Sequence, residues 1–157
     1  MDVIQLLKKD HRKVKQLFEE FEKLGGRSPR QKHTILQEAH KLLTAHSQLE
    51  EEVVYSALEE IHSQELKGLI QEAYEEHRVT KILLAELGEL RPDDEHYNAK
   101  VKVMGEYVQH HVKEEEKEIL PLAQKHLSQK RWEDLSSTAE ARHQELLTDA
   151  TSAQQVA

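Results

Sequence analysis

Cysteine is absent from this chain, which removes disulfides, thiolate nucleophiles and cysteine-ligated iron–sulfur clusters from consideration. Glycine and proline are scarce, 5 and 3 in 157 residues, too few breakers for a many-stranded sheet. No apolar run approaches the length that spans a bilayer, and the start MDVIQLLKKDHRK lacks the apolar centre of a signal peptide. Net positive charge is missing as well. The formal charge is −8, which disfavours nucleic acid and anionic membrane as partners, since both require a positive face. These absences leave a cytoplasmic, all-α protein of one domain, long enough to bury a core.

The charged third of the chain is spaced for long amphipathic helices. Asp2 reads as the N-cap of a first helix running to about Leu24, with Val3, Leu7, Val14, Leu17, Phe18 and Phe21 inward and Gly25-Gly26 as its end. Ser28-Pro29 opens a second helix to about His62. A third runs from about Ser63 to Leu90, and a fourth follows the break at Arg91-Pro92-Asp93-Asp94. Pro121 is expected to kink or weaken the last turns of the fourth. Residues 128–132 read as a loop, Glu133 to about Thr148 as a shorter fifth helix, and the tail TSAQQVA as frayed. The expected architecture is an up-down-up-down four-helix bundle over residues 1–127 with a short C-terminal helix and tail over 128–157. A monomer or weak homodimer is expected.

What the chain has in quantity is histidine, eleven residues, and glutamate. His46 with Glu50 and His111 with Glu115 each form an HxxxE spacing, which on an α-helix aims an imidazole and a carboxylate in one direction about 6 Å apart. One such spacing proves little, and His110 to Glu114 supplies another. Duplication in context carries the weight. Residues 45–56 align without a gap on residues 110–121, and Asp10-His11-Arg12 aligns on Glu76-His77-Arg78 with the apolar residues that follow. Each half thus holds one lone histidine and one HxxxE, all on inward stripes.

If the four stripes face one another, His11, His46, Glu50, His77, His111 and Glu115 converge. Four imidazoles and two carboxylates exceed one tetrahedral zinc and suit two octahedral first-row ions with bridging carboxylates. Nitrogen and oxygen donors without thiolate favour iron over manganese or zinc. His33, His40, His62, His96, His110 and His126 fall off the stripes and are expected in solvent, whereas His143 sits beside apolar positions of the fifth helix. Asp10 and Glu76 are expected to stabilise helix surfaces, and most of the glutamates at 50–52 and 114–116 to face water.

The pattern H…HxxxE…H…HxxxE, with acidic residues after each second histidine and the ending Glu118-Ile119-Leu120-Pro121, resembles the hemerythrin-like, or HHE cation-binding, domain over residues 3 to 125. The resemblance implies two iron ions with an oxo or hydroxo bridge, His11, His46, His77 and His111 as terminal ligands, and Glu50 and Glu115 as bridging carboxylates. It implies a small-molecule partner: dioxygen, peroxide or nitric oxide. Oxygen-carrying hemerythrins have a further histidine where this chain has Ala73, and an aspartate where it has Glu115. The position left by Ala73 is open to solvent, to Glu51 or Glu114, or to a nearby tyrosine. Tyr107, one turn before His111, is the candidate singled out to gate the site or fill the missing position. Three functions follow: binding or sensing of dioxygen or iron status, enzymatic scavenging of peroxide or nitric oxide, and iron storage or delivery.

Overall fold

The computed structural model describes residues 1–156, the last five (152–156) as backbone alone. Five helical rods and no strand are present among the described residues. Helix α1 spans Val3–Leu24. Helix α2 is α-helical over Pro29–Leu49, π-helical over Glu50–Tyr55, and closes with the turn Ser56–Leu58. Helix α3 spans Gln64–Glu89. Helix α4 is α-helical over Tyr97–Glu114, π-helical over Glu115–Ile119, and α-helical again over Leu120–His126. Helix α5 spans Gln129–Val156.

The caps explain most boundaries. Asp2 is extended and its carboxylate accepts from the Ile4 N–H at 2.9 Å, satisfying a donor that the first turn leaves free. Gly25 ends α1 at φ 54°, a left-handed backbone that glycine adopts without a Cβ penalty. Ser63 caps α3 through Leu66 N–H at 3.2 Å. Ser28 holds the cap position before Pro29, but in a left-handed conformation at φ 55° and without a side-chain bond. Pro121 does not end α4, which continues to His126; the irregularity before it takes the form of a π-helical segment. Proline is not its general cause, because α2 carries the matching segment followed by Ser56.

The fifth helix corrects the sequence reading. It is 28 residues long rather than short, and starts at Gln129 rather than Glu133. Ser128, assigned to a loop, accepts from the Arg131 N–H at 3.3 Å and so starts the helix. The helix continues through residues 151–156, where a frayed tail was expected; Ala157 lies outside the described residues. Trp132 Nε1 donates to Asp2 at 2.6 Å and Val3 N–H donates to Ser136 Oγ at 3.0 Å, tying α5 to the start of α1.

Helix α1 packs on α2 and α4, α3 packs on α4 and α2, and α5 lies across α1 and α2. The buried apolar residues form two clusters. One gathers Leu7, Leu49, Leu58, Ile70, Ile119 and the inner face of α5; the other gathers Val14, Phe21, Leu43, Leu84, Tyr97 and Met104. Between them, at the level of His11, Glu50, His77 and Glu115, lies a layer of buried ionisable groups.

Candidate metal centre

All six residues singled out by the duplicated pattern meet in that layer, each between 0% and 7% exposed. His11 Nε2 and His46 Nε2 face each other at 3.2 Å, and so do His77 Nε2 and His111 Nε2. Glu50 reaches both pairs. Its Oε1 lies 2.7 Å from His46 Nε2 and 3.9 Å from His11 Nε2, while its Oε2 lies 2.9 Å from His77 Nε2 and 3.8 Å from His111 Nε2. Glu115 does the same at longer range, Oε1 at 3.6 Å from His11 Nε2 and Oε2 at 3.4 Å from His111 Nε2. Donor atoms of His11, His46, Glu50 and Glu115 thus cluster tightly enough to share one cation, and those of Glu50, His77 and His111 another. Each of these two glutamates is the first residue of a π-helical segment, a local widening that recurs at functional sites.

The outer ring nitrogens settle where protons sit. His46 Nδ1 donates to Asp10 Oδ2 at 3.0 Å, His111 Nδ1 to Glu76 Oε1 at 3.0 Å, and His11 Nδ1 to Glu116 Oε1 at 2.8 Å. Carboxylates only accept, so a neutral ring in each case carries its proton on Nδ1 and turns the Nε2 lone pair inward. Lone pairs of imidazole and carboxylate then point at one another. Glu50 Oε1 and Glu115 Oε1 are buried with no hydrogen-bond donor. Burying carboxylate oxygens without a partner costs several kcal/mol, and a cation among these lone pairs removes that cost. The donor set fits two divalent first-row ions.

Without a cation, protons compensate in part. Burial alone pushes the His46 ring down, but Glu50 and Asp10 overcome it and raise it to about 10. His111 is likewise raised to about 12, burial opposing and Glu115, Glu50 and Glu76 prevailing. His77 is raised by Glu50 and Glu51 against burial. Burial pushes the Glu50 carboxyl up, yet the surrounding imidazoles hold it well below its usual range.

Several residues around the six depart from the sequence reading. Asp10 and Glu76, expected on helix surfaces, are 5% and 7% exposed and hold the outer nitrogens of His46 and His111. His143 of α5 contacts Asp10 through Nε2, 2.9 Å from Oδ2 and 3.1 Å from Oδ1. Glu116 is only partly exposed because it accepts from His11. A third grouping, Glu76 with His110 and Glu114, lies on the outer side, and the His110 side chain is 69% exposed as the off-stripe position implied.

The tyrosine that reaches the centre is Tyr55. Its O–H is poised over two carboxylates, 2.7 Å from Glu115 Oε2 and 3.1 Å from Glu50 Oε2, and its ring stacks on His77 with centroids 5.5 Å apart. Burial, then Glu115 and Glu50, push its pKa well above the usual range, so it stays a neutral donor. Tyr107 is half-buried, and among the described residues its hydroxyl takes part in none of the hydrogen bonds of the centre. Ala73, fully buried on the turn before His77, belongs to the same apolar cluster as Tyr55. The phenol therefore lies on the His77 side, where Ala73 is buried one turn earlier on the same helix.

The sequence and the fold have counterparts among known proteins. The family described as hemerythrin HHE cation binding domain matches residues 2–123. The crystal structure of a Hemerythrin HHE cation binding domain-containing protein from Mycobacterium kansasii superposes with a TM-score of 0.81 over 95% of this chain and 89% of that one, at 21% identity. A protein called DNA nickase from Nostoc sp. (strain PCC 7120 / SAG 25.82 / UTEX 2576) is 27% identical over 141 residues, covering 90% of this chain. The chain spans only 39% of that relative's length. With two histidine pairs facing one another across two shared glutamates, and a family match that covers nearly the whole of α1 to α4, the chain belongs to the hemerythrin HHE cation-binding domain family.

Proposed function

We propose that this chain is a non-heme di-iron protein whose α1–α4 form an up-down-up-down four-helix bundle, and that it binds or senses dioxygen or iron status. The observation that carries the reading is the division of the Glu50 carboxylate, one oxygen toward His11 and His46 and the other toward His77 and His111. A carboxylate so divided would be shared by the two cation positions. His11 and His46 would hold one ion, His77 and His111 the other, with Glu50 and Glu115 shared. A pair of iron ions supplies redox chemistry toward dioxygen, peroxide or nitric oxide. The protein's contribution is a buried layer between two apolar clusters, histidines fixed by Asp10, Glu76 and Glu116, and a neutral phenol at Tyr55 that offers a proton-donating group beside Glu50 and Glu115.

Tyr55 also supports a second reading, an enzyme that scavenges peroxide or nitric oxide. A buried O–H on the side that lacks a further histidine is positioned to hydrogen-bond a small reactant there. Iron storage or delivery is less well supported, since ligands at most 7% exposed give weak chelators poor access. The nicking of DNA implied by one relative's name is not carried over, because a formal charge of −8 works against binding a polyphosphate.

Loading metal-free protein with ferrous iron under anaerobic conditions, then adding air or hydrogen peroxide, tests the reading. Two irons per chain and a stable change in near-ultraviolet absorption, without gas evolution, is the expected result. Sustained oxygen evolution from peroxide selects the enzyme, and failure to hold two metal ions refutes the centre.

A further inference from the structure

We infer that His143 is a positioning residue for one of the two cation positions, binding Asp10 so that Asp10 holds the His46 ring. The inference rests on the di-metal reading above and goes beyond it, because His143 lies on α5, outside the four helices that supply the ligands.

The chain of contacts is short and buried. His143 Nε2 lies within hydrogen-bond distance of both Asp10 oxygens, at 2.9 and 3.1 Å, and Asp10 Oδ2 accepts from His46 Nδ1 at 3.0 Å. Asp10 is 5% exposed and the His143 side chain 12%. A carboxylate accepts only, so both imidazoles donate to it, and His46 is left with its Nε2 lone pair directed at Glu50 and His11. An aspartate on α1 with a single partner could rotate away from a ring on α2. Anchored by a third helix, it fixes both the tautomer and the plane of that ring. Carboxylates that hold ligand imidazoles in this way contribute about 10- to 100-fold to metal affinity.

The other half of the centre has the inner contact and lacks the anchor. Glu76 accepts from His111 Nδ1 at 3.0 Å, but the nearest histidine beyond it, His110, is 4.0 Å from Glu76 Oε2, outside hydrogen-bond range, and its side chain is 69% exposed. Helix α5 packs on α1 and α2, where it reaches Asp10 and not Glu76. The two cation positions are thus braced unequally. The position between His11 and His46 is the tighter, and α5 contributes to that through Asp10, beside the bond from His11 Nδ1 to Glu116.

Competition of Co2+ between the protein and a chelator, followed by absorption and metal content, separates the two positions. The wild-type chain should load in two steps. His143→Leu, which keeps the volume and removes the donor, should weaken the tighter step by about 10- to 100-fold and leave the weaker step alone. His143→Gln, whose amide can still donate to Asp10, should recover the tighter step to within about threefold, and His110→Ala should change neither. Two unchanged steps in His143→Leu, equal weakening of both, or no recovery in His143→Gln would overturn the proposal. Should His143→Leu fail to fold, wild-type affinities in His143→Gln carry the test, and a tighter step lost there overturns it. A wild-type chain that binds fewer than two ions would instead refute the di-metal reading itself.

Discussion

Tyr55 and Leu120 occupy equivalent places in the two halves of the chain, each five residues after a buried glutamate, yet only Tyr55 brings a hydroxyl to the centre. Leu120 is 1% exposed and packs in the same apolar cluster as the Tyr55 ring. The duplicated pattern is thereby made unequal, with a buried hydroxyl from Tyr55 in one half and buried hydrocarbon from Leu120 in the other.

Tyr55→Phe keeps the ring against His77 and deletes one hydrogen-bond donor. Iron content should stay at the wild-type level, while azide, a probe of an open metal position, should bind about tenfold more weakly, the effect of one lost hydrogen bond in a buried charged site. An azide titration followed by absorption measures it, and equal affinities would assign Tyr55 to packing alone.

The Glu50 carboxylate reaches both histidine pairs, and in the proposed centre it would serve both ions where His77 serves one. Glu50→Ala should reduce bound iron from about two per chain to less than one, whereas His77→Ala should retain about one. Metal analysis after gel filtration distinguishes them, and equal losses would contradict the division of Glu50 between the two pairs.

Glu76→Gln replaces an acceptor-only group by an amide that can also donate to His111 Nδ1, so the ring no longer has a single preferred tautomer. The ion held by His77 and His111 should bind about 10- to 100-fold more weakly, with the His11 and His46 position unaffected. Chelator competition reads out both.

The pH dependence should have opposite signs with and without metal. In the metal-free protein His46 and His111 are raised from 6.5 to about 10 and about 12, so the stability they contribute is full below 6.5 and is lost as the pH climbs toward those values. Ions need the deprotonated Nε2, so the stabilisation by iron should grow with pH and vanish on acidification below about 6. Thermal melts from about pH 6 to 10, with and without metal, should therefore diverge.

The six converging residues were legible because α-helical spacing places His46 with Glu50 and His111 with Glu115, and because the pattern repeats across the halves. Tyr55 was hidden by the same rule. Five residues on from Glu50 is about 140° around an α-helix, pointing away, but the π-helical stretch Glu50–Tyr55 brings the fifth residue back over the first. Asp10 and Glu76 looked like surface residues because periodicity on one helix does not report the neighbour that covers it. His143 was set apart by its place beside apolar positions of the fifth helix, but its contact with Asp10 depends on Trp132 and Ser136 tying that helix to the start of α1, which periodicity does not report.

Placing the ionisable layer between two apolar clusters would make cooperativity itself depend on the cations of the proposed centre. With ions bound, the layer joins the two ends, and the molecule should melt in a single transition. Stripped of them, the layer is joined only where protonated rings pair with carboxylates, a link that weakens as the pH rises and those rings lose their protons. The end braced by α5 and the end containing Phe21 and Tyr97 should then lose their structure at different temperatures.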